Sequence, residues 1–273
     1  MQDQTHVDLP TLSQTYSLSS EQVAQYQRNG HILLRHIASP TEVEVYRPLI
    51  QEAALRYNTE KRALQDRDTY GKAFLQIINL WQRDEAVRRF VLAKRFAQVA
   101  ATLMGVERVR IYHDQALFKE AGGGPTPWHQ DEYYWPLDTD NTITMWMPLV
   151  NVSLDMGPMV FASGSQELGF LGHFAISDES EAQFQRLIQE KHLTLSTPEA
   201  MAAGDATFHS GWTLHNALPN TSQTMREVMT IIYFADGAHI TQPDNSGRVR
   251  DLQDWLGGLT PGSIADSPLN PVV

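Results

Sequence analysis

The sequence predicts a mainly β fold with flanking helices, an antiparallel double-sheet jelly roll. Two observations carry that prediction. Up to about residue 105 the chain shows capped, helix-periodic segments; after it come many short strand-like runs separated by Gly- and Pro-containing turns. A third observation fits them: the 273 residues contain no internal repeat, and a β sandwich or barrel of this length is commonly one unit.

The elements follow in order. Residues 1–17 are polar and read as an arm. Ser19 or Ser20 then caps a helix that runs through EQVAQYQRN to Gly30, a natural C-terminal stop. HILLRHI at 31–37 reads as a short buried strand. Ser39-Pro40-Thr41-Glu42 opens a second helix to about residue 57, with Val43, Val45, Tyr46, Leu49 and Ile50 on its apolar stripe. Residues 85–104 read as one further helix ending at Gly105. Strands are expected at 108–120, 142–152, 158–165, across DATFHSG and at 226–235, and a polar helix at 178–191. The tail after Gln242 reads as coil. The expected organisation is an arm at 1–17 and one domain at 18–273, helical to about 105, with a jelly-roll core from about 106 to 240.

Composition narrows the function. With 21 basic and 32 acidic side chains the formal charge is 21 − 32 = −11, which argues against a nucleic-acid groove or an anionic membrane surface. There is no cysteine, so disulfides, thiolate nucleophiles and iron–sulfur clusters are excluded. A metal site must therefore use His, Asp, Glu or backbone oxygen. The first residues show no signal-peptide pattern, and no run reaches the roughly 18 apolar residues of a membrane span; a cytoplasmic enzyme with a small-molecule substrate is expected.

The sharpest local feature is Trp128-His129-Gln130-Asp131. If extended, it points His129 and Asp131 to one face, a neutral nitrogen beside an anionic oxygen. A second histidine would complete the two-histidine, one-carboxylate set that suits Fe(II). Taken alone, His-x-Asp is equally a strand-edge histidine beside a solvated aspartate. Downstream, His209 and His215 lie in FHSGWTLHNALPN, and Arg226 enters the apolar run VMTIIYF. An inward-pointing arginine there needs an anion, which a carboxylate-bearing co-substrate would provide. The plain alternative is an edge-strand arginine in water.

Together, ALFKEAGGGPTPWHQDEYYWP, TMWMPLVNVSLDMGPMVFASGS and HNALPNTSQTMRE resemble the phytanoyl-CoA dioxygenase family of Fe(II)/2-oxoglutarate oxygenases, in its bacterial small-molecule branch, over about residues 17–272. The resemblance implies a double-stranded β-helix of the cupin-like kind, with His129, Asp131 and His215 on the iron. It implies Arg226, eleven residues after His215, on the far carboxylate of 2-oxoglutarate, with Trp146 and Gln115 lining that pocket. That spacing selects His215 over His209 as the distal ligand. The implied reaction uses Fe(II), 2-oxoglutarate and O2 to oxidise a small organic molecule, a natural-product intermediate hydroxylated with release of succinate and CO2. Epimerisation, desaturation or cyclisation by the same oxidant, and acyl-CoA hydroxylation, are the alternatives. Asp131 speaks against halogenation, because the related halogenases lack that ligand.

The chain departs from the family at three places. Ala217 stands where Ser or Thr often binds the co-substrate, the Pro-Gly-Ser-His turn reads Ala162-Ser163-Gly164-Ser165-Gln166, and an upstream Lys is replaced in the region of Gln76 or Asn79. A zinc hydrolase could use the same His, His and Asp but would not need Arg226 at this spacing, and a non-catalytic binding module would not need a complete ligand set. His113, next to Asp114 on a strand, reads as structural, because neighbours face opposite ways. Tyr133, Tyr134 and Trp135 read as core or as a substrate wall, and Gly122–Gly124 as a flexible flap beside the metal.

Overall fold

A computed structural model describes residues 8–273. Its elements are α1 (Ser20–Asn29), β1 (His31–Leu34), α2 (Pro40–Tyr57), α3 (Thr69–Ala73), β2 (Leu75–Ile78), α4 (Glu85–Val91), α5 (Lys94–Met104), β3 (Val109–Lys119), β4 (Thr126–His129), β5 (Thr142–Pro148), β6 (Met159–Ser163), α6 (Asp178–Glu190), β7 (Thr194–Ser196), β8 (Ala206–Ser210), β9 (His215–Ala217), β10 (Arg226–Ala235) and α7 (Ser246–Asp254). They build two antiparallel sheets, one ordered β1-β8-β5-β10-β3-β2 and the other β4-β9-β6-β7. This is the jelly roll that the short-strand pattern predicts. No helix among the described residues is long and apolar enough to cross a membrane.

The larger sheet is buried on both faces, and strand alternation decides what each face does. Met229, Ile231 and Tyr233 of β10, with Ile143, Met145 and Met147 of β5, join the core formed with α2, α4 and α5. The intervening residues, Arg226, Thr230 and Ile232 with Thr144 and Trp146, turn to a cavity between the sheets. Strand β3 follows the same rule with one break. Its register to β10 jumps between Ile232 and Tyr233, pairing them with His113 and Ile111 and leaving Tyr112 as an extra residue. Val109 and Ile111 therefore face the helices, as Ala116 and Phe118 do, while His113, Gln115 and Leu117 face the cavity. Asn270 clasps this bulge, its amide donating to the carbonyls of Ile111, Tyr112 and Trp255.

The caps fall where the sequence predicts them. Ser19 and Ser39 form capping boxes with Gln22 and Glu42, and Gly30 closes α1 in the left-handed region at φ 74°. Of the α2 stripe, Val43, Tyr46 and Ile50 are buried, while Val45 and Leu49 are half-buried.

Five expectations change. The helix expected over 85–104 is two, because Ala93 is extended (φ −65°, ψ 121°). The break turns the Arg95 backbone N–H to the Leu12 carbonyl at 3.3 Å and sets Phe90 edge-on to Phe96. The first strand stops at Leu34, because Asp205 takes the Arg35 guanidinium at 2.8 Å and the His36 backbone N–H at 2.9 Å. The tail is not all coil: Asn245 caps α7 by accepting from the Arg248 N–H. The glycine run is no loose flap either. Its three N–H groups donate to Asn220, Glu120 and Lys72 carbonyls at 2.8–2.9 Å. Of the expected arm, residues 8–17 are tied to the helices through Pro10, Leu12 and Gln14, and residues 1–7 lie outside the described residues.

Arg95 joins these helices. Its guanidinium holds both Glu42 oxygens at 2.8 and 2.9 Å and also donates to the Ile37 and Gln14 carbonyls. We expect Arg95→Ala to cost about 3 kcal/mol, because it strands a largely buried carboxylate. Urea unfolding measures this, and a loss below about 0.5 kcal/mol would mean that solvent replaces the pair without penalty.

Candidate active site

His129 ends β4 and His215 begins β9, and the two are cross-strand partners. Each ring is fixed from behind: Nδ1 of His129 donates to the Pro127 carbonyl at 2.7 Å, and Nδ1 of His215 to the Thr213 carbonyl at 2.9 Å. A carbonyl can only accept, so Nδ1 carries the proton and Nε2 keeps a lone pair facing the cavity. Gln130 between the motif residues is extended and turned away, its side chain bound to Gly169, Leu171 and Trp212. Asp131, the first residue of a 3-10 turn, therefore comes back beside His129. Its Oδ1 lies 3.5 Å from His129 Nε2 and 3.8 Å from His215 Nε2. The three ligand atoms all lie within 4.8 Å of one another. The loop before His215 is pinned by the Ser165 hydroxyl, which accepts the Leu214 N–H at 2.8 Å.

Burial alone would raise the Asp131 pKa, but positive charge on the neighbouring imidazoles, His215 first and then His129 and His209, outweighs it and holds the carboxyl well below the usual range; a bound cation would supply the same charge where the imidazoles are neutral. Burial, then the neighbouring His129 and His209, keep the His215 imidazole neutral far below its ordinary value. The second oxygen of Asp131 is also engaged. Thr144 of β5 donates to Oδ2 at 3.0 Å, and His209 of β8 places Nε2 3.4 Å away. His209 lies on the second oxygen of Asp131, with its ring 4.3 Å from that of His215, and is not part of the His129-Asp131-His215 group. Neither of its ring nitrogens makes a hydrogen bond.

Arg226 opens β10 at the other end of the cavity and is 1% exposed. One guanidinium nitrogen donates to the Gly157 carbonyl, Nε has no partner, and the group lies over the Trp146 ring at 5.1 Å. No carboxylate among the described residues pairs with it. Gln115 lines the same space, held by the Gln76 amide at 2.8 Å, and Ala217 lies on the opposing sheet. Of the two residues considered for the missing Lys, Gln76 lines the cavity, whereas Asn79 turns to the Trp81 indole.

The cavity encloses about 450 Å³. Tyr133, Tyr134 and Trp135 all line it, so the aromatic stretch is a wall as well as core. Tyr70 and Phe74 face them from α3 and its end, and Trp255 closes one side from the end of α7. Four lining residues escape sequence reasoning. Thr144 lies in an unbroken apolar strand. Tyr70 has no motif. Asp251 and Trp255 lie in a tail read as coil, where Asn245 was the available signal. His113, read as structural, also lines the cavity, against Trp255 at 5.4 Å and with Nδ1 unpartnered. Its neighbour Asp114 faces the helices and accepts the Leu80 and Trp81 N–H groups.

The donor set fits a hard-to-borderline divalent metal. Two imidazoles with free Nε2 lone pairs and one ionised carboxylate converge, and the cavity leaves other coordination positions open. Arg226, with Nε free and no carboxylate among the described residues paired to it, offers an anchor for an anion in the same cavity.

Comparison with known proteins agrees with this geometry. The family model described as phytanoyl-CoA dioxygenase matches residues 26–228. A probable alpha-ketoglutarate-dependent hypophosphite dioxygenase of Stutzerimonas stutzeri is 26% identical over 157 residues, 56% of this chain and 54% of that protein. The chain thus spans about half the length of that relative. The crystal structure of the non-haem alpha-ketoglutarate-dependent carbocyclase SnoK, from nogalamycin biosynthesis, has a TM-score of 0.75 and 25% identity, covering 94% of this chain and 96% of that one. The epimerase SnoN, in complex with Fe3+, alpha-ketoglutarate and nogalamycin RO, shares the fold with a TM-score of 0.74 and 24% identity, covering 92% and 97%.

Thr144 holds the outer oxygen of the candidate carboxylate ligand. Thr144→Val should weaken Fe(II) binding about tenfold, since outer hydrogen bonds to metal ligands typically carry that much. Anaerobic metal titration reads it, and an unchanged affinity would show that the backbone alone aims Asp131.

Proposed function

Because the chain belongs to the phytanoyl-CoA dioxygenase family, we propose that its cavity oxidises a small natural-product intermediate, by hydroxylation, on a metal held by His129, Asp131 and His215. The chain is a 2-oxoglutarate-dependent non-haem iron dioxygenase, and its fold neighbours include structures with iron and alpha-ketoglutarate bound. The observation that carries the residue assignment is the His-Asp-His cluster, with Arg226, which no carboxylate among the described residues pairs with, in the same cavity. We take residues 18–273 as the oxygenase domain.

When bound, Fe(II) with 2-oxoglutarate and O2 supplies an oxidant able to break a C–H bond, with succinate and CO2 released. The protein's part follows from its own side chains. His129 and His215 present Nε2, and their bonds to Pro127 and Thr213 fix ring angle and tautomer. Asp131 supplies the anionic ligand while Thr144 holds its second oxygen. Arg226 binds the distal carboxylate of 2-oxoglutarate, with Trp146 beneath the guanidinium and Gln115 beside it. A charge-assisted pair of this kind contributes about 1.5–3 kcal/mol. Tyr70, Phe74, Tyr134 and Trp255 give the substrate side an aromatic lining that sheds water and suits an uncharged ring system. The carbon held nearest the metal decides the product, so a rigid wall is what selects among hydroxylation, epimerisation and ring closure.

The test is an anaerobic titration with Fe(II), then 2-oxoglutarate. A weak visible metal-to-ligand charge-transfer band should appear near one equivalent. His129→Ala, Asp131→Ala and His215→Ala should each lose it together with turnover; a full band in any of the three would remove that residue from the metal. Arg226→Ala should keep iron but raise the 2-oxoglutarate concentration needed by about ten- to hundredfold. An unchanged requirement would mean that another group anchors the co-substrate.

A further inference from the structure

Arg226 has a buried cationic neighbour that nothing in the reaction described above uses. Lys119, the last residue of β3, is wholly buried and is the cross-strand partner of Arg226. Directly opposite residues of an antiparallel pair put their side chains on one face. Both reach the same backbone: Arg226 donates to the Gly157 carbonyl, and a β-carbon built on Gly157 would lie 3.1 Å from Lys119 Cδ. Beyond that point the lysine amine donates to the Gly124 carbonyl, and a β-carbon on Gly123 would lie only 2.8 Å from its Cγ. Glycines at 123 and 157 thus leave the room in which this chain buries a lysine.

No carboxylate among the described residues pairs with either cation. The acids around them are engaged elsewhere: Glu120 with Arg67, Glu227 with Arg47 and Gln51, and Asp155 with the Ser153 hydroxyl. The other charged residue beside the glycine turn is Lys72, which adds no negative charge. Two adjacent cations in a dry site cannot both stay charged without an anion, and arginine holds its proton far more strongly than lysine. Burial first, and then Arg226, pull the Lys119 pKa down to about 6. At neutral pH its amine is therefore mostly uncharged, donating one N–H to Gly124.

We propose that Lys119 is a proton-linked partner of the co-substrate site, taking up a proton from solvent when the distal carboxylate of 2-oxoglutarate reaches Arg226. The proposal rests on the assignment of Arg226 to that carboxylate. The arriving charge offsets the field of the guanidinium, the ammonium form becomes favourable, and Lys119 becomes an ammonium still bound to the Gly124 carbonyl. It is a positioning residue behind Arg226 rather than a contact to the reacting atoms. Since binding consumes a proton, affinity for 2-oxoglutarate falls as pH rises above about 6, by up to tenfold per unit.

Isothermal titration calorimetry of the anaerobic Fe(II)-loaded enzyme with 2-oxoglutarate tests this without turnover. At about pH 7.5 the heat should differ between phosphate and Tris buffers by the ionisation heat of roughly one proton taken up. At about pH 6 the uptake should drop by half, because the lysine is already partly charged. Lys119→Met should make the heat the same in both buffers. A buffer-independent heat in the wild type, or the same uptake in Lys119→Met, overturns the proposal. Should that variant fail to fold, the wild-type series decides alone: an uptake that is constant from pH 6 to 7.5 also overturns it. If 2-oxoglutarate does not bind the wild type at all, it is the co-substrate assignment that falls; a charge-transfer band without proton uptake removes only the lysine.

Discussion

The arrangement of this cavity depends on one constraint: a half-buried carboxylate lies among three imidazoles. Desolvation pushes Asp131 toward its neutral form, and positive charge beside it, on a protonated imidazole or a bound cation, reverses that. With His129 and His215 fixed by backbone carbonyls, the cluster carries net negative charge and presents lone pairs. A site of that kind is incomplete without a cation, and its neighbours have been positioned accordingly. Thr144 and His209 lie on the outer oxygen, so the inner one stays free. The loop before His215 is pinned by Ser165, and Gln130 is turned away into the backbone of two other loops.

The far end of the cavity has the opposite imbalance. Arg226 and Lys119 bring two basic groups with no acid among the described residues paired to them. One end calls for a cation and the other for an anion. The proposed metal with its chelating dicarboxylate would satisfy both across a single cavity.

Part of this was legible in the sequence, and what was not has identifiable causes. His129, Asp131, His215 and Arg226 were singled out through the resemblance to the family; taken alone, the His-x-Asp pair and the strand arginine each had an ordinary structural alternative. The caps at Ser19, Ser39 and Gly30 were legible because their signals are local. The break at Ala93 was not, since it has neither Gly nor Pro and is marked only by tertiary contacts such as Phe90 on Phe96. Tyr70, Thr144 and Trp255 reach the cavity only through tertiary placement. His113, read as structural, is buried, and that it also borders the cavity was not legible. Adjacent strand residues do face opposite ways, but which of the pair meets the cavity depends on the extra residue at Tyr112.

That extra residue has a consequence for variation along β3. Before Tyr112 the strand is keyed to the helical layer by its odd-numbered residues; after it, by its even-numbered ones. The bulge works as a phase joint between two independently indexed pieces of one strand. A change in length on the near side can be absorbed at the joint without rotating His113, Gln115 or Leu117 out of the cavity. The same change on the far side would exchange cavity and helix faces together. Asn270, by holding the carbonyls on either side of the joint, locks the phase from the far end of the chain.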